Sequence, residues 1–248
     1  MSAKPHPKTD LPRQILNTIR SVWPDGVVQI HPELIEDSYF HELHPKLHRS
    51  LSNIEGASLH YERGTNEPRQ REDDWDSRWS HNTPIEENTY SYHLFFVCPN
   101  DKLFRYEAET EQPDEKDPDV EEPVAGHGFI GCVVGVSFLA RFAIVALNSF
   151  QEYENGCRTC PGLDFWVFDE AGRRLSAEEY FYGQVGYEGV RILQSLCDRI
   201  AKVLQAHHIT VLGEQDQQKA VPWLRAGEEV LQEEGPVTVK SAFFFEAL

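Results

Sequence analysis

Gly128 to Leu147 reads GFIGCVVGVSFLARFAIVAL, twenty residues with a single charge at Arg141. Any fold this chain adopts must hide that run. A transmembrane helix needs about twenty apolar residues, and Gly131 and Gly135 have the spacing seen where membrane helices approach closely. Arg141 would cost about 2.5–3.5 kcal/mol within a bilayer, and no basic cluster flanks the run. No membrane span is expected. A buried helix is disfavoured by three glycines and by Val133, Val134 and Val136. Buried strand suits β-branched and aromatic residues. The run is therefore predicted to be two adjoining strands, or one long bent strand, at the centre of a sheet. Val134, Val136 and Phe138 share one face, and Phe142, Ile144 and Ala146 line one face of the second segment. The join falls near Ala140, and the glycines let strands pack closely.

The rest of the chain supplies a frame for that centre. Asp10 is expected to cap a helix from Leu11 to about Val22, with Leu11, Ile15, Leu16 and Ile19 on one face. Pro32 to Leu51 has helical spacing interrupted by Pro45. Ala57–Tyr61 and Tyr90–Cys98 read as strands, with Leu103–Thr110 as the hairpin partner of the latter. Leu163–Phe168 is a further strand. Ser176 and Glu179 form a capping box. It opens a helix to about Val185, and a second helix, from Tyr187 to His207, comes after a kink at Gly186. The aromatic run Phe243–Phe245 is too apolar for a loose tail. Strands come mostly first and helices later. This predicts an α+β fold, a largely antiparallel sheet with helices packed on one face and lying mainly in the C-terminal half.

Residues 1–10 are expected to be a disordered leader, and 11–248 a single domain. Residues 111–123 contain seven acids, one lysine and three prolines, so a mobile acidic loop is expected there. The chain has 248 residues, enough for a substantial core without disulfides. Its five cysteines have no framework spacing, and its first residues have no apolar signal segment. A cytoplasmic protein with reduced thiols is the expectation. Acids outnumber bases 41 to 23, giving a formal net charge of −18. Phosphate backbones recruit Lys and Arg, so no nucleic acid partner is expected.

Three candidate sites emerge. His41, His44 and His48 fall at i, i+3 and i+7 of a helix, and three imidazoles can hold zinc with an open fourth position. Pro45 lies inside that triad, and no HExxH accompanies it. These histidines are a weak metal site, and no cofactor is expected. Cys157 and Cys160 form a CxxC, but in an inter-strand loop rather than between strand and helix, so two free thiols are the reading. Glu72, Asp73, Asp74, Trp75, Asp76 and Trp79 set two tryptophans among acids, a composition common at interface hot spots. No nucleophile elbow or phosphate loop occurs.

The resulting expectation is a non-enzymatic, acidic binding protein that neutralises a basic protein partner through Glu72–Trp79. In composition it resembles the immunity proteins that bacteria keep beside polymorphic toxins. The alternative is a metal-dependent enzyme using His41, His44 and His48.

Overall fold

The computed structural model describes residues 11–29, 38–62, 91–109, 125–154, 158–159, 162–228, 230–231 and 235–247. The elements run in order as α1 (Arg13–Val22), β1 (Val27–Val28), α2 (Phe40–Ser52), β2 (Ala57–Glu62), β3 (Tyr92–Pro99), β4 (Arg105–Glu109), β5 (Ala125–Ser137), β6 (Phe142–Tyr153) and β7 (Arg158–Thr159). After them come α3 (Ala177–Ala206), β8 (Thr210–Val211), α4 (Glu214–Gln217), β9 (Arg225–Ala226), β10 (Val230–Leu231), α5 (Val239–Phe243) and β11 (Glu246–Ala247). The fold is α+β, built on a seven-stranded, largely antiparallel sheet. No helix among the described residues is long and apolar enough to cross a membrane.

The apolar run forms the centre of this sheet. β5 and β6 make an antiparallel hairpin whose register runs from Gly126↔Tyr153 to Val136↔Ala143. Arg141 sits exposed at the turn between them, its guanidinium 4.7 Å over the Tyr39 ring. The charge that argued against a bilayer therefore marks the solvent end of a hairpin. Every residue of β3 is buried, because both faces of the sheet are covered.

The glycines permit close approach at two places. A Cβ at Gly131 would stand 2.4 Å from the Val97 carbonyl oxygen on β3. At Gly128 the space is filled by the ring of its cross-strand partner Tyr106.

β4 is not the hairpin partner of β3. Both strands pair with the same edge of β5, β3 through Cys132–Ser137 and β4 through Ala125–Phe129. β5 is thirteen residues long and accepts the two shorter strands end to end. A turn capped by Asp101, whose side chain accepts from the Leu103 amide, carries the chain between them.

Directly opposite residues of antiparallel strands share a face. Glu62, His93, Phe95, Val97, Cys132, Val134 and Val136 accordingly lie on one side. The two longest helices, α2 and α3, cover that side. Phe95 stacks on His44 of α2, and Cys132 meets Cys197 of α3. On the opposite side Phe150 is the hub of a ring cluster with Tyr61, Phe96 and Phe129.

The capping box at Ser176 and Glu179 is present. Gly186 breaks the helix with φ 67°, and the break folds it sharply enough for Gln194 to hydrogen-bond Glu178, sixteen residues earlier. Leu193, Leu196, Ile200 and Leu204 of the second segment are fully buried.

The C-terminal aromatics are packed: Phe243 lies edge-on to Phe142, and the Phe245 amide donates to Ser91 Oγ at 2.8 Å.

Three further expectations need correction. α1 begins two residues late, with Pro12 at its cap and no side-chain cap bond. Leu163–Phe168 is not a regular strand, since only a single bridge, Phe168↔Arg174, forms there. Its Trp166 faces outward beneath the Arg174 guanidinium, 3.9 Å from the ring centre. The third concerns Pro45, which does not interrupt α2. A proline removes the bond from its own nitrogen to the carbonyl four residues back. That carbonyl belongs to His41, an exposed residue in the second position of the helix.

Candidate metal centre

Four side chains from three elements converge under α2. Glu62 ends β2, His93 lies in β3, and His44 and His48 project from α2. His44 Nε2 and His93 Nε2 both meet Glu62 Oε1, the latter at 3.1 Å. His48 Nδ1 meets the other oxygen, Oε2, at 2.5 Å. The donor atoms of His44, Glu62 and His93 all lie within 4.8 Å of one another.

Local structure explains the convergence. The β2–β3 register slips between Leu59 and Tyr61, so His60 is an extra residue with no partner of its own on β3. Such a bulge re-aims the residues beyond it. In an unbroken ladder, continuing from Leu59↔Val97, Glu62 would fall opposite Leu94 and point away from α2. The bulge instead sets it opposite Phe95, beside His93. His60 and Tyr61 then both turn toward the far side, where the His60 ring packs at a tilt on Phe129 at 4.3 Å and Tyr61 on Phe150 at 5.2 Å.

Helix α2 is placed by its own N-terminus. Ser38 Oγ donates to the Phe138 carbonyl at 2.7 Å, and the Tyr39 hydroxyl lies 2.8 Å from the carbonyls of both Ser137 and Ala140. These bonds anchor the helix to the β5–β6 turn. At its other end Ser50 Oγ meets His207 Nε2 at 3.0 Å.

The site is apolar on its inner side. Phe40 lies 4.9 Å from the His93 ring and Phe95 lies 4.7 Å from it, while Phe138 packs on Phe40. The Glu62 side chain is 3% exposed and His93 10%, whereas His44 is 32% and His48 48% exposed. The cluster thus opens to solvent along α2. Burial pushes the Glu62 carboxyl up, but hydrogen bonds from His44, His93 and His48 outweigh it. The carboxyl is held well below its ordinary value.

Such a donor set has the chemistry of a metal site. Two imidazole nitrogens and one carboxylate oxygen suit zinc or ferrous iron, and three protein ligands leave further positions for water. His48 grips the oxygen not shared by the other two. That is the outer-shell contact that orients a ligating carboxylate.

The candidate triad His41, His44 and His48 is divided by the fold. His44 joins the centre directly, and His48 reaches it through Glu62 Oε2. His41 is exposed and outside the cluster. At about 100° per residue, His44 lies within about 60° of the stripe formed by Phe40, Leu43, Leu47 and Leu51, and His41 about 115° away. Glu62 and His93 were not singled out by sequence. For His93 the one signal was a titratable residue set between Tyr92 and Leu94 in an apolar strand, while Glu62, between Tyr61 and Arg63, carried none. The other candidates, Glu72–Trp79 with Cys157 and Cys160, lie outside the described residues, as does the acidic segment 111–123.

Compared with protein-family models, curated proteins and solved structures, the chain matches none.

Proposed function

We propose that this protein is a metal-dependent enzyme whose divalent transition-metal ion is held by His44, Glu62 and His93, with His48 orienting the carboxylate. One observation carries the reading: a buried, ionised glutamate gathers three imidazoles at a place that is apolar beneath and open to solvent above. A structural zinc site closes its fourth position with protein, whereas a catalytic one leaves it to water or substrate. A bound ion there would acidify a coordinated water and polarise a substrate oxygen. The apolar wall of Phe40, Phe95 and Phe138 would strengthen that field by excluding water.

The test is metal content. Protein purified without a histidine tag, or reloaded with zinc or anaerobically with ferrous ion, should hold about one ion per chain. His93→Ala should lose it, while His48→Ala should weaken affinity by about 10–100-fold. A folded protein that takes up neither ion would make the cluster a hydrogen-bonded core network and overturn the reading.

A second reading is favoured by the charge of −18 together with exposed Trp166, Phe168, Tyr182 and Tyr187. Under it the protein captures a basic protein partner, with Glu72, Asp73, Asp74, Trp75, Asp76 and Trp79 as the first residues to vary. Charge reversal at Asp73 and Asp74 should then slow association and flatten its salt dependence. A partner that associates at a rate independent of salt would sink it.

A further inference from the structure

Cys132 and Cys197 stand apart from the metal centre, on the same side of the sheet. Cys132 is fully buried in the middle of β5, and Cys197 lies in the second segment of α3 and is partly exposed. Their sulfurs are 3.0 Å apart. Cys132 Sγ also donates to the Leu193 carbonyl at 3.8 Å, so it sits beneath the helical turn that ends at Cys197. A disulfide needs its sulfurs at about 2.05 Å, which asks for roughly 1 Å of closure.

We propose that Cys132 and Cys197 are a redox modification site, forming a disulfide that fastens α3 to the central sheet when the protein meets a low-molecular-weight disulfide such as oxidised glutathione. The reaction is thiol–disulfide exchange in two steps. Cys197, the more exposed residue of the two, attacks as its thiolate. It forms a mixed disulfide and releases one glutathione thiolate, which takes up a proton. Cys132 then gives up its proton and displaces the second glutathione from Cys197 Sγ, and the departing thiolate is protonated in turn. Both protein thiols are oxidised, and one glutathione disulfide is reduced to two thiols. Burial and the neighbouring Cys197 push the Cys132 thiol well up, so it does not start the exchange; its place 3.0 Å from Cys197 Sγ, and not its acidity, is what lets it resolve the mixed disulfide.

The position of the bond gives it a consequence. α3 holds α2 through Arg199 Nη1, which donates to the Glu55 carbonyl at 2.5 Å just past the end of α2, and through the contact of His207 with Ser50. A covalent tie from β5 to α3 therefore restrains the helix against which α2, the carrier of His44 and His48, is held.

The experiment treats the full-length native protein with oxidised glutathione, blocks remaining thiols, and maps disulfide-linked peptides without reduction. The expected product joins the peptide of Cys132 to that of Cys197, with the intact mass lower by two hydrogens. Cys132→Ala should stop at a stable glutathione adduct on Cys197, and Cys197→Ser should leave Cys132 unmodified. In the oxidised wild type, amide exchange across Gly189–Ala206 should slow relative to the reduced protein. A product in which Cys157 and Cys160 are linked while Cys132 and Cys197 remain alkylatable would overturn the proposal. So would a wild-type protein whose glutathione adduct on Cys197 is never resolved. The wild-type map decides the matter even if a variant folds poorly.

Discussion

Val136→Asp should abolish soluble folding. Val136 is 0% exposed, in the central strand β5, paired on one side with His93 and on the other with Ala143. Its side chain points into the layer between the sheet and the helices, on the face that also carries His93, Phe95 and Val134. A carboxylate there has no designed partner, and an uncompensated buried charge costs about 3–5 kcal/mol. Losing the valine's own burial adds about 1.5 kcal/mol or more. Whole domains are stable by only about 5–15 kcal/mol, so the change is comparable to the whole margin at the lower end of that range. His93 is the nearest cross-strand side chain, but it is already engaged by Glu62. The measurement is soluble yield and thermal melting beside Val136→Ala, which should remain folded with a lower Tm. An aspartate variant with an unchanged Tm would place Val136 outside the core.

The second large effect is expected at Glu62, and it comes as a contrast of two variants. Glu62→Gln keeps the volume and some hydrogen bonding but removes the charge around which three imidazoles are gathered. If Glu62 ligates the ion as proposed, metal affinity should fall by more than the roughly 100-fold upper end seen for outer-shell contacts. Deleting His60 is a more drastic edit of the chain, yet it should spare metal binding. It removes the extra residue of the bulge and leaves Tyr61 opposite Phe96 and Glu62 opposite Phe95. The ring contact of His60 with Phe129 is lost, so some stability should go with it. Metal content by elemental analysis and melting with and without added zinc check both. Retention of metal by Glu62→Gln would show that the carboxylate is not a ligand. Complete loss of metal on deleting His60 from a folded protein would show that the strand register beyond the bulge does not by itself aim Glu62.

Much of the architecture is set by local sequence. The apolar run could be buried strand because valines and phenylalanines alternate through it, and one arginine could only face water. The helix break at Gly186 and the capping box at Ser176 are set by one or two residues acting on their own backbone, so they are visible without neighbours. The buried stripes of α1 and α3 are likewise properties of spacing alone. Partnership between strands is not a local property. Leu103–Thr110 reads as a strand, but that it continues along β5 instead of folding onto β3 depends on the length of β5, a strand farther along the chain. The candidate metal centre was half legible for the same reason. Histidine spacing along α2 is written in the sequence, and so is the presence of Pro45. Which imidazoles turn inward depends on where the apolar stripe docks, and that left His41 outside. Glu62 and His93 are separated by thirty-one residues of chain, and they meet only because the sheet pairs β2 with β3. A one-residue slip in that pairing decides which face Glu62 occupies, since side chains alternate with a period of two. The chain's own composition set the sheet, the helices and the core. Strand register and helix docking, which depend on contacts distant in sequence, assembled the site.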